Sequence, residues 1–239
     1  MTNDFTAAAA DLTELLGLNT PPLGISFHDA PVEDVDAYSE NYPARTDGGR
    51  TGAVPAGCVF WGKATDRTFS TVAEDHGNCS VGSLTHGFHT LDEVSGNEDV
   101  AALVGAEWVS PDVFPQIPVV KGKPESVVYG PLKNTLVAPD VVFVRLNGKQ
   151  AMMLHDACPD MEFEGKPQCH IIPMAKEQSK IALSVGCMLS RVRTGMSNNE
   201  MTCAIPAARL GEVIGSLQLA KAADIQVAAY AAQDAKRFS

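Results

Sequence analysis

The sequence predicts an α+β fold, with a mixed sheet flanked by helices. Three observations carry this. Strand-like runs ("PLGISF", "PDVVFV", "IALSVG", "EMTCAIP") are scattered along the chain without a regular β-α-β count. Helical patterns occupy both ends. A faint echo relates two stretches, about 18–110 and 136–220, as pseudo-repeated halves of one compact unit spanning 1–239.

The elements follow in order. Asp4 to Leu16 reads as an amphipathic helix, with Phe5, Leu12, Leu15 and Leu16 turned inward. Pro21-Pro22 ends anything helical, and "LGISF" reads as a short strand. Residues 31 to 56 are rich in turn formers and predict a long functional loop. "RTFSTVA" is strand-like, and Asp92 to Val109 reads as one helix with an interior glycine. Residues 110 to 135 carry several prolines and glycines around "ESVVYGPL". "PDVVFVRL" is a continuous apolar run, expected of a strand buried on both faces. "NGKQAMMLHDAC" reads as a helix in preference to a hairpin turning at Asn147-Gly148. Ile181, Leu183 and Val185 alternate with small residues, and Met201, Cys203 and Ile205 share one strand face. Pro206 opens a helix whose stripe is Leu210, Val213, Ile214 and Leu217. Ala222 to Arg237 reads as a separate last helix.

Composition narrows the function classes. The 239 residues are 45% hydrophobic and carry a formal net charge of −11, so the chain can bury a core and repels phosphate backbones. No nucleic-acid partner is expected. No stretch is long and apolar enough to span a bilayer, and the start, "MTNDFTAAAADLTELLGL", lacks the positive segment of a signal peptide. A cytoplasmic location without membrane association is expected, with the six cysteines reduced. There is no Walker loop, no G-x-G-x-x-G after a strand and no G-x-S-x-G elbow.

Cysteine is the leading chemical signal. Cys58, Cys79, Cys169 and Cys187 each follow a turn former or polar residue, in "AGC", "GNC", "PQC" and "VGC". Such backbone lets sulfur turn inward and offers amide N–H groups to a thiolate. Four thiolates suit an iron–sulfur cluster or zinc. The spacing lacks the short Cys-x-x-Cys knuckles of structural zinc sites, and free cysteine equally well imitates a small hydrophobe. Cys203 fits that bland reading, and Cys158 carries no assigned role. Near the set, His76 is a candidate base, ligand or donor to a thiolate, against the plainer reading of a solvated loop histidine. Arg191 and Arg193 are candidates to lower the Cys187 pKa or to hold an anion, against pairing with surface carboxylates such as Glu200.

The segments "TPPLGISFHDAP", "EDHGNCSVGSLTHGF", "PDVVFVRLNGKQAMML", "GKPQCHIIP" and "LSVGCMLSRVRTGMSNNEMTCAIP" together resemble the successive blocks of domain-of-unknown-function family 169, the ArCR type. The resemblance runs from about Leu15 to Leu217. Its most specific block falls on Ser184, Gly186, Cys187, Arg191, Thr194, Gly195, Glu200, Ile205 and Pro206. The family's cysteine-bearing blocks fall on Cys58, Cys79, Cys169 and Cys187, and Cys158 and Cys203 lie outside them. Family members often carry a second glycine where Leu189 stands here, which narrows room for a ligand approaching the backbone. The resemblance implies one shared fold and supports the cysteine set, but supplies no substrate.

Three functions follow in rank order. The first is a cysteine-ligated metal protein. Cys58, Cys79, Cys169 and Cys187 hold an iron–sulfur cluster, 4Fe-4S favoured over zinc, with a redox or sulfur-handling role on a small molecule. Arg191 and Arg193 bind an anionic substrate there or compensate the cluster's negative charge. The second is a metal-free cysteine enzyme of thiol or persulfide chemistry, with Cys187 as nucleophile or persulfide carrier, His76 as proton acceptor, and Arg191 and Arg193 depressing the thiol pKa. The third is a non-catalytic small-molecule binding module. A small-molecule substrate or redox partner is expected, and the alanine-rich last helix permits a homo-oligomer.

Overall fold

The long apolar runs pair into one sheet that crosses the whole chain. The structure, a computed structural model, describes residues 4–40, 57–164 and 167–238. The turn-rich segment at 41–56 therefore lies outside the described residues.

Helix α1 (Phe5–Leu16) starts at Asp4, whose carboxylate accepts from the Ala7 amide, and ends at Gly17 in the left-handed conformation. Strand β1 (Leu23–His28) follows the proline pair. Next come α2 (Gly57–Lys63), β2 (Phe69–Thr71) and α3 (Ser80–Thr85). The stretch 92–109 is broken into α4 (Leu91–Val94) and α5 (Glu98–Gly105), not continued as one helix. The break has a local cause. The Thr90 hydroxyl and Glu93 carboxylate form a capping box at α4, and Ser95, Gly96 and Asn97 separate it from α5.

The glycine- and proline-rich stretch at 110–135 contains β3 (Ser126–Pro131), buried throughout. Its two neighbours account for this: β3 pairs antiparallel with β1 on one side and β2 on the other. Gly130 stands opposite Gly24 in that pairing, and a Cβ there would meet Thr68 Oγ1 at 2.3 Å. Strand β4 (Val141–Leu146) leads into α6 (Gly148–Ala157), where Asn147 and Gln150 form a capping box and settle the helix over the hairpin. Then come β5 (Glu162–Glu164), α7 (Ile171–Gln178), β6 (Ala182–Ser184), α8 (Met188–Thr194) and β7 (Met201–Pro206). A single helix, α9 (Leu210–Ala235), ends the described chain where two were expected. Its turn-to-turn run of alanine, leucine and glutamine holds no helix breaker between residues 216 and 235.

The sheet is seven-stranded and mixed, in the order β2-β3-β1-β4-β7-β6-β5, with β5 and β6 parallel and the other pairings antiparallel. The fold is therefore α+β. Strand alternation divides the core into two layers. Val142, Val144, Leu146, Cys203 and Ile205 face α1, α6 and α9. Val141, Phe143, Ala182 and Ala204 face the other way, with Phe60, Trp61, Ile171 and Met174 packed on them. Helices α2, α3 and α7 belong to this second layer.

A topological symmetry emerges at the sheet's centre. Strands β1 and β4 lie antiparallel there, and each is bordered by an antiparallel strand, β3 and β7, that is bordered in turn by β2 and β6. A twofold rotation normal to the sheet exchanges these triplets while keeping the same face up. It relates α3, which follows β2, to α8, which follows β6.

Candidate functional site

Above the second core layer is a cavity of about 550 Å³, and Cys58, Cys79, Cys169 and Cys187 all line it. Each comes from a different local structure. Cys58 is the second residue of α2. Cys79 is the N-cap of α3, and its Sγ accepts from the Gly82 amide at 3.4 Å. Cys169 sits in the 3-10 turn Gln168–His170 that leads into α7. Cys187 is the N-cap of α8. Helix α2 packs against both α3 and α8, which draws the segments together.

The thiols feel one another. Burial pushes the Cys58 thiol up to about 12, with the nearby sulfurs of Cys79 and Cys187 adding to the effect while Ser190 and Arg193 oppose it. Burial also raises Cys79, against the Gly82 amide and Arg193. Cys169 is raised well above the thiol range by burial and then by Cys79, with a hydrogen bond from Thr85 acting the other way. Cys58, Cys79 and Cys169 are therefore protonated thiols at neutral pH. Among the described residues, no group of three or more His, Cys, Asp or Glu side chains is set to hold a metal ion.

The two remaining cysteines lie elsewhere. Cys158 and Cys203 are buried in the layer under α1, α6 and α9, on the opposite face of the sheet. All six cysteines are free thiols.

His76 does not line the cavity. It is fully buried, packed on Phe60, Phe88, His86 and Tyr129, and its Nε2 lies 3.0 Å from Thr71 Oγ1. Its Nδ1 faces the backbone of Gly57, where a Cβ would approach to 3.0 Å. Burial lowers its pKa well below the imidazole range. A neutral, enclosed ring in this position supports the start of α2.

The two arginines part company. Arg191 donates to the backbone carbonyls of Val185, Ser197 and Glu200, the last at 3.0 Å, and so ties the ends of α8 together from behind. It lies against Gly186, whose φ of +102° only glycine adopts readily and whose Cβ position is 2.9 Å from Arg191 Nη2. Arg193 lines the cavity. The Glu200 carboxylate pairs with Arg145, not with either of them.

Several lining residues escaped sequence reasoning. Gln168 Nε2 donates to Ser190 Oγ at 2.6 Å, and Ser190 also hydrogen-bonds Cys58. Ser190 could have been found three residues past Cys187 on one helix face. Trp61 and Trp108 line the same cavity, although nothing local marks them. His86 also lines it; its Nδ1 donates to the Gly82 carbonyl at 2.8 Å, and burial lowers its pKa to about 4. His170 Nδ1 is 3.9 Å from a Glu164 oxygen, yet burial lowers its pKa to about 4. The imidazole is uncharged at neutral pH, so we read this contact as no ion pair. Leu189, which replaces the glycine frequent in the family, is on the cavity wall.

Fold and site together define an α+β protein with four separately supplied cysteines around one cavity. The family DUF169, described as uncharacterised ArCR, matches residues 11–216, and the chain belongs to it. No curated protein and no solved structure matches the chain. Among the described residues, no helix is long and apolar enough to cross a membrane.

Proposed function

We propose that the protein binds an iron–sulfur cluster through Cys58, Cys79, Cys169 and Cys187 and uses it in redox or sulfur-handling chemistry on a small molecule. The observation that carries this reading is that four thiols from remote segments line one cavity. Sulfur lone pairs gathered and buried together repel as thiolates, and a cationic centre among them removes that cost. Gly82, Ser190 and Thr85 add hydrogen bonds to sulfur, the interactions that tune a cluster's potential.

Zinc fits less well. A tetrahedral ion with bonds of about 2.3 Å needs its four sulfurs drawn within roughly 4 Å of one another. No such grouping exists among the described side chains. A cluster of four irons takes one thiolate per iron, so its ligands stand further apart than those of a single ion. The metal-free nucleophile reading loses support because His76, its proton acceptor, is sealed in the core. The bound small molecule of the third reading is compatible with the cluster, since both use the cavity. Free thiols are in keeping with a reducing compartment such as the cytoplasm.

The test is anaerobic purification and reconstitution with iron and sulfide. Brown protein with stoichiometric iron and acid-labile sulfide is the expected result. Colourless protein that takes up neither overturns the proposal.

A further inference from the structure

We infer that the cavity beside the cysteines contains an anion subsite at Arg193, suited to a small carboxylate with an aromatic or branched apolar body. The inference rests on the cavity alone and stands whether or not a cluster is bound.

Charge accounting singles out Arg193. Among the described residues, five charged side chains line the cavity: Asp99, Glu162, Glu164, Lys180 and Arg193. The Lys180 ammonium is 2.7 Å from Glu162 and is spent on it. Asp99 accepts from the Ser80 amide at 2.8 Å and the Ser80 hydroxyl at 2.7 Å, so its oxygens are occupied near α3. Glu164 stands beside the neutral His170 on the edge strand β5. Arg193 alone among the lining cations has no hydrogen-bond or ion-pair partner among the described residues. It is exposed, one residue before the end of α8, and acts electrostatically on both Cys58 and Cys79. An exposed guanidinium on the cavity lining, with no partner among the described residues, offers a fork for a planar oxyanion.

The second observation is a set of unpartnered polar atoms on the same walls. The Trp61 indole nitrogen, His86 Nε2 and Gln168 Oε1 are all buried without a hydrogen-bond partner among the described residues. Their residues are 3%, 1% and 2% exposed and all line the cavity. Buried polar groups without partners are rare and costly, and several converging on one space mark a ligand that brings its own donors and acceptors. Trp61 offers a donor. His86 Nε2, with Nδ1 already donating to Gly82, offers an acceptor, and Gln168 Oε1 offers another. The lining also includes an apolar set: Leu103, Trp108, Val113, Phe114 and Ile117. The recognised molecule therefore has a carboxylate for Arg193, an apolar body for these side chains and, for full complementarity, a donor for His86 or Gln168.

The chain's only two tryptophans, Trp61 and Trp108, both line the cavity, so intrinsic fluorescence reports on its contents. The experiment titrates phenylacetate, 3-methylbutanoate and the neutral isostere phenylacetamide into the full-length protein. It is run on the metal-free and the iron-reconstituted forms. Saturable fluorescence changes with both carboxylates, at least about tenfold weaker with phenylacetamide, are expected. Arg193→Leu is expected to weaken phenylacetate about tenfold or more, with Arg193→Lys falling between. Equal affinity for phenylacetate and phenylacetamide, or unchanged carboxylate binding in Arg193→Leu, overturns the subsite. So does the absence of any saturable response in both forms. Anion binding by protein that takes up no iron would overturn the cluster and leave the subsite intact. A cluster that assembles normally without any anion response would do the reverse. If Arg193→Leu changes only cluster assembly, the arginine neutralises the cluster and the inference fails.

Discussion

Cys79 and Cys187 are topological counterparts: each is the N-cap of a short helix that follows the third strand of its half-sheet, β2 or β6. Both line the same cavity. Cys58 and Cys169 likewise both precede that third strand in the chain. Convergence of the four sulfurs is thus a product of strand order.

Serine replacement of any of Cys58, Cys79, Cys169 or Cys187 is expected to lower the iron bound per chain and bleach the visible absorbance. Cys158→Ser and Cys203→Ser are expected to keep both, because those thiols lie under the opposite face of the sheet. Iron assay and absorbance of the six reconstituted variants check this. Iron loss at Cys203 equal to that at Cys187 would contradict it.

Gly186→Ala is expected to destabilise the protein by about 1–3 kcal/mol. Its φ of +102° strains any Cβ, which would also stand 2.9 Å from Arg191 Nη2 and 3.2 Å from Met196 Cε. The neighbouring Cys187 shifts with it, so iron uptake should fall as well. Chemical denaturation and iron assay measure the two effects separately.

The two arginines should separate by phenotype. Arg191→Ala removes donors to three backbone carbonyls and is expected to cost about 1–3 kcal/mol. Arg193→Ala touches no such bond and should stay within about 0.5 kcal/mol of the parent. Urea midpoints of the pair decide it. Equal destabilisation would show that Arg193 also braces the fold.

Acid should unfold the protein through its buried imidazoles. His86 has a folded pKa of about 4 against an ordinary 6.5, and His76 is displaced the same way. Below pH 6.5 the unfolded rings take up protons that the folded rings refuse. Stability present above that pH is therefore lost as pH falls toward about 4. His86 contributes on the order of 3 kcal/mol of this loss. Denaturation of the metal-free protein between pH 7 and 4 should show the decline, and His86→Gln should flatten part of it. A His86→Gln profile parallel to the parent's would rule this cause out.

Much of the chain was written locally. Asp4 and Asn147 mark helix starts through their own side-chain oxygens, and the alternation of Met201, Cys203 and Ile205 announces a strand with one face inward. The resemblance to the family singled out the same four cysteines that line the cavity. Such signals survive in sequence because they depend on neighbours within a turn or a strand. The buried course of β3, the separate duties of Arg191 and Arg193, and the enclosure of His76 by Phe60 and Phe88 were decided only by tertiary structure. Each depends on partners far away along the chain, and no residue's own chemistry states which distant surface will close over it.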